Sequence, residues 1–216
     1  SGFKCVQCCQ LGLERADLGL AEQALREQAL QQELLIVARR RNLGFDVNIA
    51  GHHAGAPSSY LGTKGFGAFR EGQEIWTVPG LEAWHGEEVH LTDVTTELAL
   101  QAVDTALEEE KPFFLYLAHY SVHTPLEPHD PFAQPYRDAG IDEKEARYAS
   151  MVEGVDKSMT EVSAHLEERG VAENTIVLFT SDNGGLTVHA RGRSPLDTGQ
   201  NTHNLPLRAG KGSAYE

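Results

Sequence analysis

Residues with chemistry in them stand in short runs. "HYSVHTPLEP", His119 to Pro128, holds two histidines four apart, and imidazole is the side chain best placed to move protons near neutral pH. "FTSDNGG", Phe179 to Gly185, sets a carboxylate beside an amide and follows them with two glycines. Asp182 and Asn183 make a hard-oxygen pair suited to calcium or magnesium rather than a soft metal. The glycines let the backbone turn sharply toward a ligand. The same run is also an ordinary turn signature; its interest comes from closing the apolar stretch "TIVLFTS". In the tail "THNLPLRAGKGSAYE", Lys211 lies between two glycines, where an ammonium can meet an anion with little bulk around it. His52, His53 and Tyr60 sit in the Gly- and Pro-rich stretch "GHHAGAPSSY" and are candidates for a substrate loop.

Regular elements must hold these groups in place. Leu91, Val94, Leu98, Ala102 and Ala106 recur at helical spacing, and the apolar run Pro112 to Ala118 follows. A second helix is marked by Tyr148, Val152, Val155, Met159, Val162 and Leu166, with Asp142 and Glu145 resembling a capping box and Gly170 a stop. Thr175 to Ser181 reads as a further buried strand. Helix, strand, helix, strand, with apolar strands that do not alternate, predicts an α/β fold: a mixed, mostly parallel sheet covered by helices on both faces. Such sheets bind ligands beyond the carboxyl ends of their strands, where both polar runs stand. Residues 42 to about 89 show no periodicity and read as long irregular loop structure, of the kind that forms lids or binding surfaces.

The first 41 residues differ in texture. Leu18, Ala21, Leu25 and Ala29 share one face of a single amphipathic helix, continuing loosely to Leu34 and Val37. The expected organisation is therefore a helical segment, 1–41, ahead of a catalytic portion, 42–216. Cys5, Cys8 and Cys9 crowd the start with no partner cysteine later, which argues against a disulfide framework and leaves a zinc site one ligand short. That terminus reads as incidental.

Composition excludes some partners. Thirty-two acidic against 18 basic residues give a charge of -14, which repels nucleic acid. No run approaches the ~18 apolar residues of a membrane span. The start "SGFKCVQCCQLG" has no apolar core of the signal-peptide kind and gives no address.

The runs "KPFFLYLAHYSVHTPLEP", "RYASMVEGVDKSMTEVSAHLEERGVAENTIVLFTSDNGG" and "NLPLRAGKGSAYE", with "GFDVNIAGHHAGAPSSY" before them, together resemble the sulfatases, the formylglycine-dependent branch of the alkaline phosphatase superfamily. The resemblance covers roughly Leu43 to Glu216. It implies an alkaline-phosphatase-like core, incomplete here. It also implies hydrolysis of a sulfate ester, small molecule or sulfated sugar, with calcium or magnesium as cofactor. Position by position, Asp182 and Asn183 match the cation ligands, His123 the histidine that contacts the sulfate group or leaving oxygen, and Lys211 the lysine that binds the sulfate. Full-length members are expected in the periplasm, the lysosome or outside the cell.

The family pattern has gaps here. No Asp-Asp pair is present to supply further ligands. No cysteine stands in the Cys-x-Pro-x-Arg context that becomes formylglycine, and "LIVARRR" occupies the place of a Gly-Lys-Trp-His-Leu-Gly element. The expectation is an internal portion of a longer sulfatase, or a degenerate member, inactive by itself. A phosphatase or phosphodiesterase of the same superfamily and a non-catalytic metal- or anion-binding homologue are the alternatives.

Overall fold

The computed structural model describes residues 45–67, 72, 74–130 and 132–185, and the backbone of 4–8. Lys211, Cys9, the helix expected within 14–41 and the tail after Gly185 lie outside the described residues. The chain divides into two compact units, 1–125 and 126–216, and each is described by itself.

In the first unit, β1 (Lys4–Cys8), β2 (Val47–Ile49) and β3 (Phe113–Leu117) form a parallel sheet in the order β2-β1-β3. Val6 pairs with Val47 on one side and Leu115 on the other. Lys4–Cys8 is thus the central strand, and the expectation of an incidental terminus is corrected. The segment is short and cysteine-rich, so nothing in its pattern announces a strand; two parallel neighbours make it one.

The helix α1 (Leu91–Glu108) buries Leu91, Val94, Ala102 and Ala106, as the spacing predicts, together with Ala99 and Val103, while Leu98 is half-buried. Two of its three buried threonines are satisfied within the helix. Thr95 Oγ1 donates to Leu91 O at 2.9 Å and Thr96 Oγ1 to Thr92 O at 2.7 Å. Glu110, at φ 52°, ends the helix in the left-handed region while Lys111 N–H reaches back to Ala106 O at 2.9 Å. Along β3, Phe114 and Tyr116 are exposed while their neighbours are half-buried. This strand therefore alternates, and among the described residues of the unit α1 is the helix that packs against the sheet. The second helical layer read from an uninterrupted apolar run is not seen among the described residues of this unit.

The described residues of 42–89 are irregular apart from β2, as the lack of periodicity indicates, but part of the segment is core rather than lid or binding surface. Short 3-10 turns at Gly62–Lys64, Glu74–Trp76 and Glu82–Trp84 punctuate a chain that buries Tyr60, Phe66, Val78 and Leu81 almost completely. Ladder-like bonds replace secondary structure: Ser58 N–H to Trp76 O at 2.8 Å, Gly62 N–H to Val89 O at 2.9 Å and Leu91 N–H to Tyr60 O at 2.7 Å. Satisfying the backbone this way is what lets irregular chain enter a core.

In the second unit, α2 (Ala133–Asp138) and α3 (Glu143–Glu168) pack together. Asp142 caps α3 by accepting from Lys144 N–H at 3.0 Å, and Gly170, at φ 69°, follows its end, both as the sequence indicates. The buried residues are Ala146, Ser150, Met151, Gly154, Ser158, Val162 and Leu166, mostly small through the first half; of the expected apolar face Val162 and Leu166 are buried, Tyr148, Val155 and Met159 half-buried and Val152 exposed. Thr175–Ser181 forms no strand, and Ile176, Leu178 and Phe179 are 88%, 86% and 70% exposed. The buried strand expected there is corrected. An apolar run becomes a strand only where a neighbour offers its ladder. No described helix is long and apolar enough to cross a membrane.

Candidate functional site

The turn after β3 carries His119 and His123. Its four residues, Tyr120 to His123, close through His123 N–H to Tyr120 O at 2.9 Å, and the Ser121–Val122 and Thr124–Pro125 peptides are cis. His123 Nδ1 lies 2.9 Å from Thr124 O. A carbonyl can only accept, so Nδ1 carries the hydrogen and Nε2 is the ring nitrogen that exchanges a proton with a ligand.

Three contacts hold this turn from outside. Tyr60 donates its single phenolic hydrogen toward Tyr120 O at 2.6 Å and His123 O at 2.9 Å. Thr92 Oγ1, in the first turn of α1, lies 2.8 Å from Ser121 Oγ. The Tyr120 hydroxyl donates to Ala50 O at 2.8 Å, which obliges His52 Nδ1, 2.6 Å from the same oxygen, to be a donor in turn. Ala50 adopts φ 55°, a conformation costing a non-glycine residue about 1 kcal/mol, while its carbonyl receives that bond. Tyr60 also stacks on His90, centroids 5.2 Å apart, and His90 Nδ1 accepts from Thr92 N–H at 3.3 Å to cap α1.

His52 and Tyr60 are therefore buried, Tyr60 with no exposed surface, and the reading of both as substrate-loop surface is corrected. Of the three loop candidates His53 alone is exposed. Their sequence neighbourhood is glycine-rich, which hid the fact that the hydroxyl partners lie about sixty residues away.

His119 is distinct from His123. Burial pushes its imidazole down to about 4 from 6.5, opposed in part by Asp93. In the unfolded chain it titrates near 6.5, so between these values the unfolded state holds a proton that the folded state refuses. Stability is complete above pH 6.5 and falls as the pH drops toward 4. The ring's residue keeps some surface, and the expected loss is about 2 kcal/mol. Urea midpoints at pH 7 and pH 4.5 measure it, and H119Q should flatten the slope; an unchanged slope in H119Q would assign the acid sensitivity elsewhere.

In the second unit, Asp182 is exposed and Asn183 half-buried, with Ser181 Oγ donating to Asn183 O at 2.6 Å. The side chains are two adjacent hard oxygens. Among the described residues, no three His, Cys, Asp or Glu side chains gather into a group able to hold a metal. His123 lies in the first unit, Asp182 and Asn183 in the second.

Comparison with known proteins gives one answer. The sequence profile of the family described as Sulfatase matches residues 6–216. Mouse arylsulfatase J is 32% identical over 135 residues, 62% of this chain and 20% of its own length. Dog N-acetylgalactosamine-6-sulfatase is 31% identical over 129 residues, covering 60% and 22%. The uncharacterized sulfatase YdeN of Escherichia coli K12 is 32% identical over 149 residues, covering 68% and 24%. The crystal structure of Ps i-CgsB shares the fold with a TM-score of 0.63 at 24% identity, over 98% of this chain and 42% of that one. The chain thus spans between a fifth and a quarter of the length of these curated relatives. It belongs to the sulfatase family.

Proposed function

We infer that the chain carries part of the active site of a sulfuric ester hydrolase, arylsulfatase-like, and that the whole protein acts on a sulfate ester, most fittingly a sulfated sugar. The observation that carries the reading is the hydrogen-bonded turn presenting His123, inside a family match that spans it. With Nδ1 engaged by Thr124 O, His123 works through Nε2. In its charged form that nitrogen donates to the bridging oxygen of an ester as general acid, and in its neutral form it accepts. Lys211 would bind the sulfate oxygens. Asp182 and Asn183 would hold calcium, or else magnesium, whose charge when bound offsets that of the sulfate. The sugar class is supported by relatives named as N-acetylgalactosamine-6-sulfatases and by Ps i-CgsB having been crystallised with k-i-k-neocarrahexaose. The same reading places the full-length protein in the periplasm, the lysosome or outside the cell. Every relative named above is a sulfatase rather than a phosphatase, which favours sulfur over phosphorus as the centre attacked.

Formylglycine supplies the nucleophile in complete family members. Its Cys-x-Pro-x-Arg context is absent here, so the chain by itself is expected to hydrolyse neither nitrophenyl sulfate nor nitrophenyl phosphate, with or without calcium. Binding then tests the site. Inorganic sulfate should move the His123 imidazole resonance in the wild type and much less in K211A. Phosphate-ester turnover would favour the phosphatase alternative, and sulfate that leaves His123 unmoved would refute the assignment.

A further inference from the structure

The geometry points to Tyr60 as the positioning residue of His123. The claim that positioning matters to catalysis rests on the proposed function; the claim that Tyr60 sets the ring does not. Tyr60 meets His123 at its backbone carbonyl, not through a bond to the imidazole that is argued to meet a ligand. Its ring is fully buried and stacked on His90, so the hydroxyl has one place to be. That hydroxyl bridges the two ends of the turn, the carbonyls of Tyr120 and His123, while the His123 amide donates to the same Tyr120 carbonyl. The Nδ1 contact that decides which nitrogen faces a ligand is made to the next carbonyl along, Thr124 O. Releasing His123 O thus frees the peptide that leads directly into the acceptor of that contact. Thr92 ties Ser121, inside the turn, and cannot substitute for the bridge. Tyr60 is itself placed by its own carbonyl, which takes Leu91 N–H at 2.7 Å at the start of α1. The first turn of that helix, the irregular core segment and the His123 turn therefore form one connected unit.

The test uses the full chain with 15N-labelled histidine at pH 8, with H123A to assign the ring. Wild-type His123 should show the Nδ1–H tautomer. In Y60F, which removes one oxygen and leaves the ring stack, its tautomer ratio should shift about five- to tenfold, the equivalent of one ordinary hydrogen bond. His129 and His165, in the other unit, should not respond. A folded Y60F with an unchanged His123 pattern overturns the proposal. Should the first unit of Y60F fail to fold, seen as collapse of the His85 and His119 signals, the bond is read in the wild type. A slowly exchanging Tyr60 hydroxyl proton supports the proposal there, and a freely exchanging one overturns it. Failure of the functional reading looks different: the tautomer responds to Y60F, but sulfate moves nothing.

Discussion

Replacing Gly62 with alanine is expected to cost the first unit about 3 kcal/mol of stability, the upper end of ordinary overpacking. A Cβ there would stand 2.7 Å from both Trp84 O and Glu87 O and 2.8 Å from Val89 Cγ2. Two of these atoms are backbone carbonyls in a segment already committed elsewhere. Gly62 N–H donates to Val89 O at 2.9 Å, and Gly86 and Gly65 both donate to Gly62 O at 2.8 Å. No side chain can swing aside, so the chain must shift and release those bonds. Thermal melting should show a drop of roughly 6–12 °C. Gly80 serves as control. At φ 77° it has nothing within 4 Å of an added Cβ, and G80A should cost only about 1 kcal/mol, the left-handed penalty. Equal effects at the two positions would mean that the crowding around Gly62 relaxes at little cost. The change also reaches the site, because Gly62 lies two residues from Tyr60, whose hydroxyl holds the His123 turn.

Gly154→Ala should destabilise the second unit by about 2 kcal/mol, with a sign opposite to the usual one. In an exposed helix interior the change gains up to about 1 kcal/mol. Here the new Cβ would fall 2.0 Å from His129 Nδ1 and 2.9 Å from its Cε1. His129 is 3% exposed, sits edge-on to Phe132 at 5.1 Å and donates its backbone N–H to Ser150 Oγ at 3.1 Å, so its ring has little freedom to retreat. The small residues Ser150 and Gly154 on α3 make the groove this segment occupies. A double-mutant cycle isolates the contact. H129A should remove most of the penalty of G154A, giving a coupling of about 1–2 kcal/mol. A stabilised G154A, or strictly additive variants, would show that the ring and the helix do not meet.

What could be read beforehand follows from where the information sits. Helices α1 and α3 were legible because a 3.6-residue apolar period, the Asp142 cap and Gly170 are local signals. The strand β3 was legible as an apolar run, but its alternation was not, since Phe113 to Leu117 are all apolar or aromatic. The central strand Lys4–Cys8 left no mark, because pairing with Val47 and Leu115 is a property of residues far along the chain. The run Ile176 to Phe179 shows the converse: composition announced a strand and no described neighbour made it one. At the site, resemblance marked His123, Asp182, Asn183 and Lys211. It could not mark Tyr60 as internal, because only a partner some sixty residues distant decides whether a loop tyrosine faces water or a carbonyl.

The central claim is that His123, Lys211, Asp182 and Asn183 serve one sulfate ester. A crystal structure of the full chain grown with calcium and sulfate tests it most directly. His123 Nε2 and Lys211 Nζ are expected at hydrogen-bond distance from one sulfate, with side-chain oxygens of Asp182 and Asn183 about 2.3–2.6 Å from a calcium beside it. Sulfate and calcium bound on separate surfaces, with the four residues scattered between them, would contradict it.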